Sequence, residues 1–221
     1  MLRLLNKDRR VYELKPLRMQ EDLRKVARKH SLDMAQKDYF EHVNLKGHSP
    51  ADRLKISGIT DVTSGENLAK IGGYANPTQF AEVGLMNSPG HRANILQPLY
   101  NVVGIGVIQS IQKVYYFTQN FAKRELIFVR PFPALLRFRK KLHMRGYALP
   151  RVHKIVFRLL NGLSEEILTE TVVQIKNGEF NLDILFPKSG RYKLMFYVNL
   201  DGGENYELSN QFELNARYLF S

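Results

Sequence analysis

The feature that most constrains this chain is a change of hydrophobic period near residue 122. Before it, apolar residues at helical spacing are mixed with two β-rich runs. After it, short strand-like runs follow one another, separated by turn residues. Periods of 3.6 and 2 cannot belong to one kind of element, so two architectures stand in series. The chain has 221 residues, enough for two domains of roughly 100–120 residues each. The boundary is predicted at Ala122–Glu125, giving an α+β domain over residues 1–122 and an all-β domain over residues 123–221.

In the first domain Leu2, Leu5 and Arg9 share a helix face. From Arg18 to Lys37 the set Leu23, Val26, Ala27, His30 and Met34 follows the i, i+3, i+4 rule and predicts one long amphipathic helix. "SPADRLKISG" predicts a short helix, with Ser49 as N-cap, Pro50 at the first position and Gly58 past the end. "NPTQFAEVGLMN" predicts another, capped by Asn76 and opened by Pro77. "NVVGIGVIQ" and "KVYYFTQNFA" predict an antiparallel strand pair. Gly104 and Gly106 then let strands pack closely.

In the second domain seven strands are predicted: Leu126–Phe132, Leu135–Lys140, Val152–Leu160, Leu168–Lys176, Glu179–Phe186, Tyr192–Leu200 and Tyr206–Asn215. "KNGE" at 176–179 is a two-residue hairpin signal, since Asn-Gly supplies the positive φ angles of a type I′ turn. "DGGEN" at 201–205 is a second turn. This spacing predicts an immunoglobulin-like β-sandwich.

The chain has no cysteine, which excludes disulfides, thiolate metal sites and cysteine nucleophiles. No apolar run reaches the roughly 18–20 residues of a membrane span. "MLRLLNKDRR" is too short and too charged for a secretory leader, so the protein either stays inside or is a mature form without its leader. The net charge is +12 and uneven. Residues 123–158 hold eleven Lys/Arg against the single acid Glu125. Residues 159–221 hold five against nine acids. The basic segment could meet an acidic partner, but no aromatic-rich motif accompanies it, so nucleic acid is not expected. A solvated basic face beside an acidic one accounts for the pattern equally well.

Three segments place one titratable residue each at a break in structure. His42 in "YFEHVN" follows the long helix. Glu66 in "SGENLA" is flanked by glycine. In "NSPGHRANIL" Ser88 and Pro89 signal a helix start, so His91 falls in the first turn near the free N–H groups. That position favours the neutral imidazole that binds metals. Two histidines and a carboxylate could hold a divalent ion with positions left for water. Two unrelated hydrogen-bonded histidines fit the spacing as well. A serine nucleophile at Ser88 is disfavoured, because an N-cap hydroxyl is expected to bond a backbone N–H. In "FTQNF" Gln119 is read as lying opposite Phe117 and Phe121, within reach of the site. Asn94 is read as stitching its helix to a neighbouring loop, and Arg92 as pairing with a surface acid. His30, His48, His143 and His153 are read as surface or locally bonded residues.

Seven blocks occur in order: "LLNKDR", "ARKHSLDMA", "YFEHVNLKGHSPADRL", "GENLA", "MNSPGHRANIL", "NVVGIGV" and "YYFTQNFA". Together they resemble the bacterial branch of the CAP superfamily, or SCP domain, which includes the cysteine-rich secretory proteins, antigen 5 and the plant pathogenesis-related 1 proteins. The resemblance covers residues 1–122. It implies a three-layer α-β-α sandwich with a cleft triad of His42, Glu66 and His91, and Ser88, Asn94 and Gln119 as further ligand-binding positions. Animal and plant members carry a tryptophan and a second glutamate where this chain has Leu85 and Ser88 or a neighbour. Relatives bind a divalent metal through the histidine pair, or sterols or fatty acids, and protease activity has been proposed for a few.

The expected function is therefore an exported cleft-bearing protein. His42 and His91 would bind a divalent metal such as zinc, or a small ligand, without turnover, and the β-sandwich would dock on a cell-surface polymer or other partner. The alternatives are a metal-dependent hydrolase with Glu66 as base to a bound water, and a lipid or sterol carrier.

Overall fold

The helices of the first half are set by local signals, and one mixed sheet between them sets their positions. A computed structural model describes residues 1–130 and 132–217. Pro131, inside the first strand expected after the boundary, lies outside the described residues, as do residues 218–221. The chain divides into two compact units: Met1–Ile59 with Thr63–Lys123, and Thr60–Val62 with Arg124–Ser221.

The first unit runs α1 (Leu2–Val11), β1 (Arg18–Met19), α2 (Glu21–Lys37), α3 (Pro50–Ile56), β2 (Ser64–Ile71), α4 (Pro77–Asn87), α5 (Pro89–Ile95), β3 (Val102–Gln109) and β4 (Tyr115–Ala122). Its sheet has the order β1-β3-β4-β2. β4 pairs antiparallel with both β2 and β3, while β1 pairs parallel with β3. The period of two in β3 separates two helix layers. Val103 and Ile105 join Phe121 in a core with Leu5 of α1, Leu85 of α4 and Ile95 of α5. Val102 and Ala122 join Leu23 and Val26 of α2 and Leu54 of α3. The unit is thus a helix–sheet–helix sandwich.

Three expectations need correction here. The long helix does not begin at Arg18: Arg18 and Met19 pair with Val102 and Val103 as a strand, and the helix starts at Glu21. Gly104 and Gly106 admit a helix rather than a strand, since a Cβ at Gly104 would lie 2.1 Å from the Leu23 carbonyl carbon and one at Gly106 2.4 Å from that of Ala27. Of the two readings of His30, surface or locally bonded, the surface one is wrong: it is 1% exposed on the inner face of α2, with Nε2 on the Glu41 carbonyl. The caps of α3 are as expected, with Ser49 and Asp52 forming a reciprocal capping box and Gly58 at φ +76°.

The second unit contains β5 (Leu126–Phe128), β6 (Leu135–Arg137), β7 (Leu142–Ala148), β8 (Lys154–Asn161), β9 (Ile167–Val173), β10 (Ile175–Lys176), β11 (Glu179–Ile184), β12 (Gly190–Asn199) and β13 (Glu207–Arg217). They form two sheets, β10-β11-β7-β5 and β6-β13-β12-β8-β9. Met144 and Phe180 of one sheet meet Phe157, Leu194, Phe196 and Phe212 of the other in a single core, so this unit is a β-sandwich. β7 was not expected. The predicted strand Leu168–Lys176 breaks at Gln174, where the chain changes sheet: β9 pairs with β8, and β10 with β11. The Asn177-Gly178 hairpin is present, with φ of 53° and 78°. Basic residues of segment 123–158 find acids within the unit: Arg151 on Glu125, Arg158 on Glu170 and His143 on Asp183.

Candidate functional site

The cleft is built where the loop after α2, the start of β2 and the first turn of α5 converge. His42 is placed by Arg53, whose Nη1 donates to the His42 carbonyl at 2.6 Å and to that of His48 at 3.0 Å. The same guanidinium reaches Glu66 Oε2 through Nη2 at 2.5 Å. Glu66 Oε1 accepts from His42 Nδ1 at 2.8 Å. A carboxylate accepts only, so Nδ1 carries the proton and the neutral ring keeps its lone pair on Nε2. Glu66 is buried, while the His42 side chain is half exposed. The hydrogen bond to Glu66 raises the His42 pKa above the ordinary imidazole value, against the opposing effect of burial.

His91 is placed differently. Ser88 is the N-cap residue of α5 in an extended backbone, but its hydroxyl makes no cap bond. Ser88 Oγ instead lies 2.9 Å from His91 Nδ1. The expectation that the hydroxyl would serve the backbone is therefore corrected: the helix start also holds its own histidine. Burial, then the charge of His42, lowers the His91 pKa. His42 and His91 thus sense one another, and each has its Nδ1 occupied.

Beneath the cleft lies a buried amide relay. Asn67 Nδ2 donates to the His91 carbonyl at 3.0 Å and to Gln119 Oε1 at 3.1 Å. Asn94 Nδ2 donates to the Glu66 carbonyl at 3.2 Å and to Asn67 Oδ1 at 2.9 Å. Asn94 therefore ties α5 to β2. Gln119 Nε2 donates onward to Glu82 Oε2 at 3.1 Å. Gln119 is fully buried, where it supports the floor of the site. It shares a face with Phe117 and Phe121, because residues two apart on a strand point the same way; the expectation that placed them on opposite sides is corrected. Arg92 has no acid partner among its contacts. It donates to Tyr12 Oη at 2.6 Å and lies over that ring.

Sequence reasoning missed Arg53, Asn67, Glu82 and the role of Arg9. Arg9 is 1% exposed and donates to the carbonyls of Lys15, Ile95, Gln97 and Tyr100. A guanidinium at the end of α5 satisfies carbonyls that the helix leaves open. A usable signal existed for Arg9 and Glu82, since each is a charge on an otherwise apolar helix face. Nothing local marks Arg53, whose partners lie 5 to 13 residues away.

Gly65 completes the geometry, because a Cβ there would lie 2.5 Å from Tyr100 Oη and 2.8 Å from Asn94 Oδ1. No group of three or more His, Cys, Asp or Glu among the described residues could hold a metal. The donor set is two imidazoles, each with its Nε2 unclaimed by the hydrogen bonds described. Two imidazoles are too few ligands for a closed structural site.

The model of the cysteine-rich secretory protein family, CAP, matches residues 2–121. The Bacillus subtilis (strain 168) protein YkwD, described as uncharacterized, is 43% identical over 107 residues, or 48% of this chain and 40% of that protein. The uncharacterized membrane protein YlbC of the same organism is 37% identical over 123 residues, 56% of this chain and 33% of that protein. The match thus spans well under half the length of either relative. A crystal structure of an extracellular protein containing an SCP domain from Bacillus anthracis str. Ames aligns with a TM-score of 0.49 and 29% identity, covering 56% of this chain and 39% of that one. The family match extends over more than half of the chain, so this protein belongs to the cysteine-rich secretory protein family, as a bacterial CAP or SCP-domain protein followed by a β-sandwich.

Proposed function

We propose that the CAP unit is a binding module that acts outside the cytoplasm, and that His42 and His91 take a divalent metal, zinc being the first to test, or a small ligand. The observation that supports this most directly is the occupation of both Nδ1 atoms, by Glu66 and by Ser88. Partners of this kind orient an imidazole and raise its basicity toward a metal. A bound ion would supply Lewis acidity at the cleft, while the protein's own residues orient the two rings. Both Glu66 oxygens are engaged, one by His42 and one by Arg53. That leaves Glu66 as a positioning residue instead of a base for bound water, and favours binding over turnover.

The export reading draws on the family, whose description is secretory, and on YlbC, which is described as a membrane protein. No helix among the described residues is long and apolar enough to cross a membrane. The β-sandwich, which we read as immunoglobulin-like, is the docking module of this proposal. Arg145 on its surface suits an acidic polymer or partner.

Titration calorimetry with zinc tests the metal reading. Wild type should show one saturable event, and His42→Ala or His91→Ala should each weaken it by about tenfold or more. Uptake should weaken as pH falls, with a midpoint above that of an ordinary imidazole, because protonation of His42 competes for Nε2. Equal uptake by all three proteins would refute the site. One observation favours a hydrolase instead: the Ser88–His91 contact has the reach of a nucleophile and its base. Ester turnover lost in Ser88→Ala but retained without metal would establish that reading.

A further inference from the structure

The charges of the β-sandwich unit gather at one of its ends. β6 finishes there at Arg137, β13 at Arg217 and β11 at Ile184, while β7 begins at Leu142 and β12 at Gly190. The register brings these points together. Arg137 lies opposite Arg217, Gly190 opposite Ala216, and Leu142 opposite Ile184. The β6–β7 turn and the β11–β12 loop both cross between the two sheets at this end.

The turn carries Arg139, Lys140 and Lys141, and the loop carries Lys188, with Arg191 just inside β12. All of these are exposed, as are Arg137 and Arg217. None of them pairs with an acid among the described residues. The acids nearby are matched or stand at the margin. Asp183 holds His143, Glu165 holds Lys193, and Glu166 lies on the turn into the edge strand β9. Arg137 and Arg217 are a direct cross-strand pair, and like charges so placed work against folding. Arg139 lies over the Phe138 ring at 5.8 Å, a contact that orients a guanidinium without neutralising it.

Apolar surface sits among these cations. Leu185 follows Ile184 at the end of β11 and is 59% exposed. A hydrated phosphate polymer would neutralise the lysines and arginines and leave Leu185 in water. A bilayer with anionic headgroups serves both: the headgroups meet the cations, and the acyl boundary receives the leucine. Because the cations come from separate turns at strand ends, a broad anionic surface meets them together.

We propose that this end of the sandwich docks on an anionic lipid bilayer through the β6–β7 turn and the β11–β12 loop. The proposal rests on the reading of the sandwich as the docking module. Flotation of the full chain with vesicles of equal parts phosphatidylglycerol and phosphatidylcholine tests it. Binding should be saturable, at least about tenfold tighter than to pure phosphatidylcholine, and weaker as salt rises. Arg139→Glu/Lys140→Glu/Lys141→Glu should weaken it by about tenfold or more. That variant should unfold at no lower a temperature than wild type and take up zinc equally, so this surface and the cleft fail or succeed separately. Leu185→Ser should weaken vesicle binding about fivefold, a loss that a purely ionic partner would not register. Equal binding to the neutral vesicles, or indifference to the triple charge reversal, would overturn the assignment. Capture of soluble polyphosphate in preference to vesicles would overturn the bilayer as partner while leaving the docking role of the sandwich standing.

Discussion

Glu82 shows how much one residue of this fold depends on its surroundings. It is 2% exposed, accepts from Gln119 through Oε2, and has no partner at Oε1. Burial, reinforced by the charge of Asp8, pushes its pKa up to about 7. A carboxyl whose folded pKa is raised stabilises the protein below its unfolded value and loses that contribution as pH rises through the folded one. The window therefore opens near the usual glutamate value and closes at about 7. In Glu82→Gln this pH dependence should vanish. Native-state amide exchange in β3 and β4 should show the variant gaining up to roughly 3 kcal/mol on wild type between about pH 4.5 and 8. Equal pH slopes in the two proteins would show that Glu82 is already solvated. Because the amide introduced by Glu82→Gln also leaves a donor unmatched, the change with pH is the readout, not the stability at one pH.

At the scale of elements, α2 approaches β3 so closely that two strand positions have no room for a Cβ. The atoms that a Cβ at Gly104 or Gly106 would meet include backbone of Leu23, Arg24, Ala27 and Arg28, which cannot rotate aside. Gly106→Ala should therefore destabilise the unit by about 3 kcal/mol, with Gly104→Ala at least as severe. Gly84 supplies the control. It lies inside α4 with nothing within 4 Å of its added Cβ, so Gly84→Ala should stabilise by up to about 1 kcal/mol. Thermal unfolding of the three variants should give opposite signs, and a neutral Gly106→Ala would mean that α2 can move off the sheet. Elements with local signals were legible in the sequence, as at Ser49, Pro50 and Gly58 around α3. β1 was not, because it exists through Val102 and Val103, far along the chain. β7 was hidden because its inward positions include Gly146, whose reason is Phe180: a Cβ there would lie 2.4 Å from that ring. In the cleft, His42, Glu66 and His91 stood out as residues at structural breaks. Arg53, Asn67 and the second use of the Ser88 hydroxyl did not, since each is defined by partners that only the fold brings near.

At the scale of the whole molecule, the order of residues along the chain and their membership of a unit part company at one place. Thr60–Val62 precede β2 of the CAP unit but are grouped with the β-sandwich. The Val62 N–H donates to the Ser209 carbonyl, the Gln211 N–H to the Thr60 carbonyl, and Asp61 bridges to Asn210. Asp61 Oδ2 also pairs with Arg124 Nη2 at 2.6 Å, with 2% and 6% of the two side chains exposed. Those three residues thus extend the sandwich across the backbone of β13. Removing one member of so buried a pair takes away the opposite charge the other is buried against, at a cost of up to about 3–5 kcal/mol. Asp61→Ala should therefore accelerate amide exchange in β12 and β13 by about two orders of magnitude or more, although the substitution lies within the sequence span of the CAP family. Exchange in β3 and β4 should change far less, because the core of Leu5, Leu85, Val103 and Phe121 contains neither partner. Equal acceleration in both sets of strands would show instead that the CAP unit depends on this segment as much as the sandwich does.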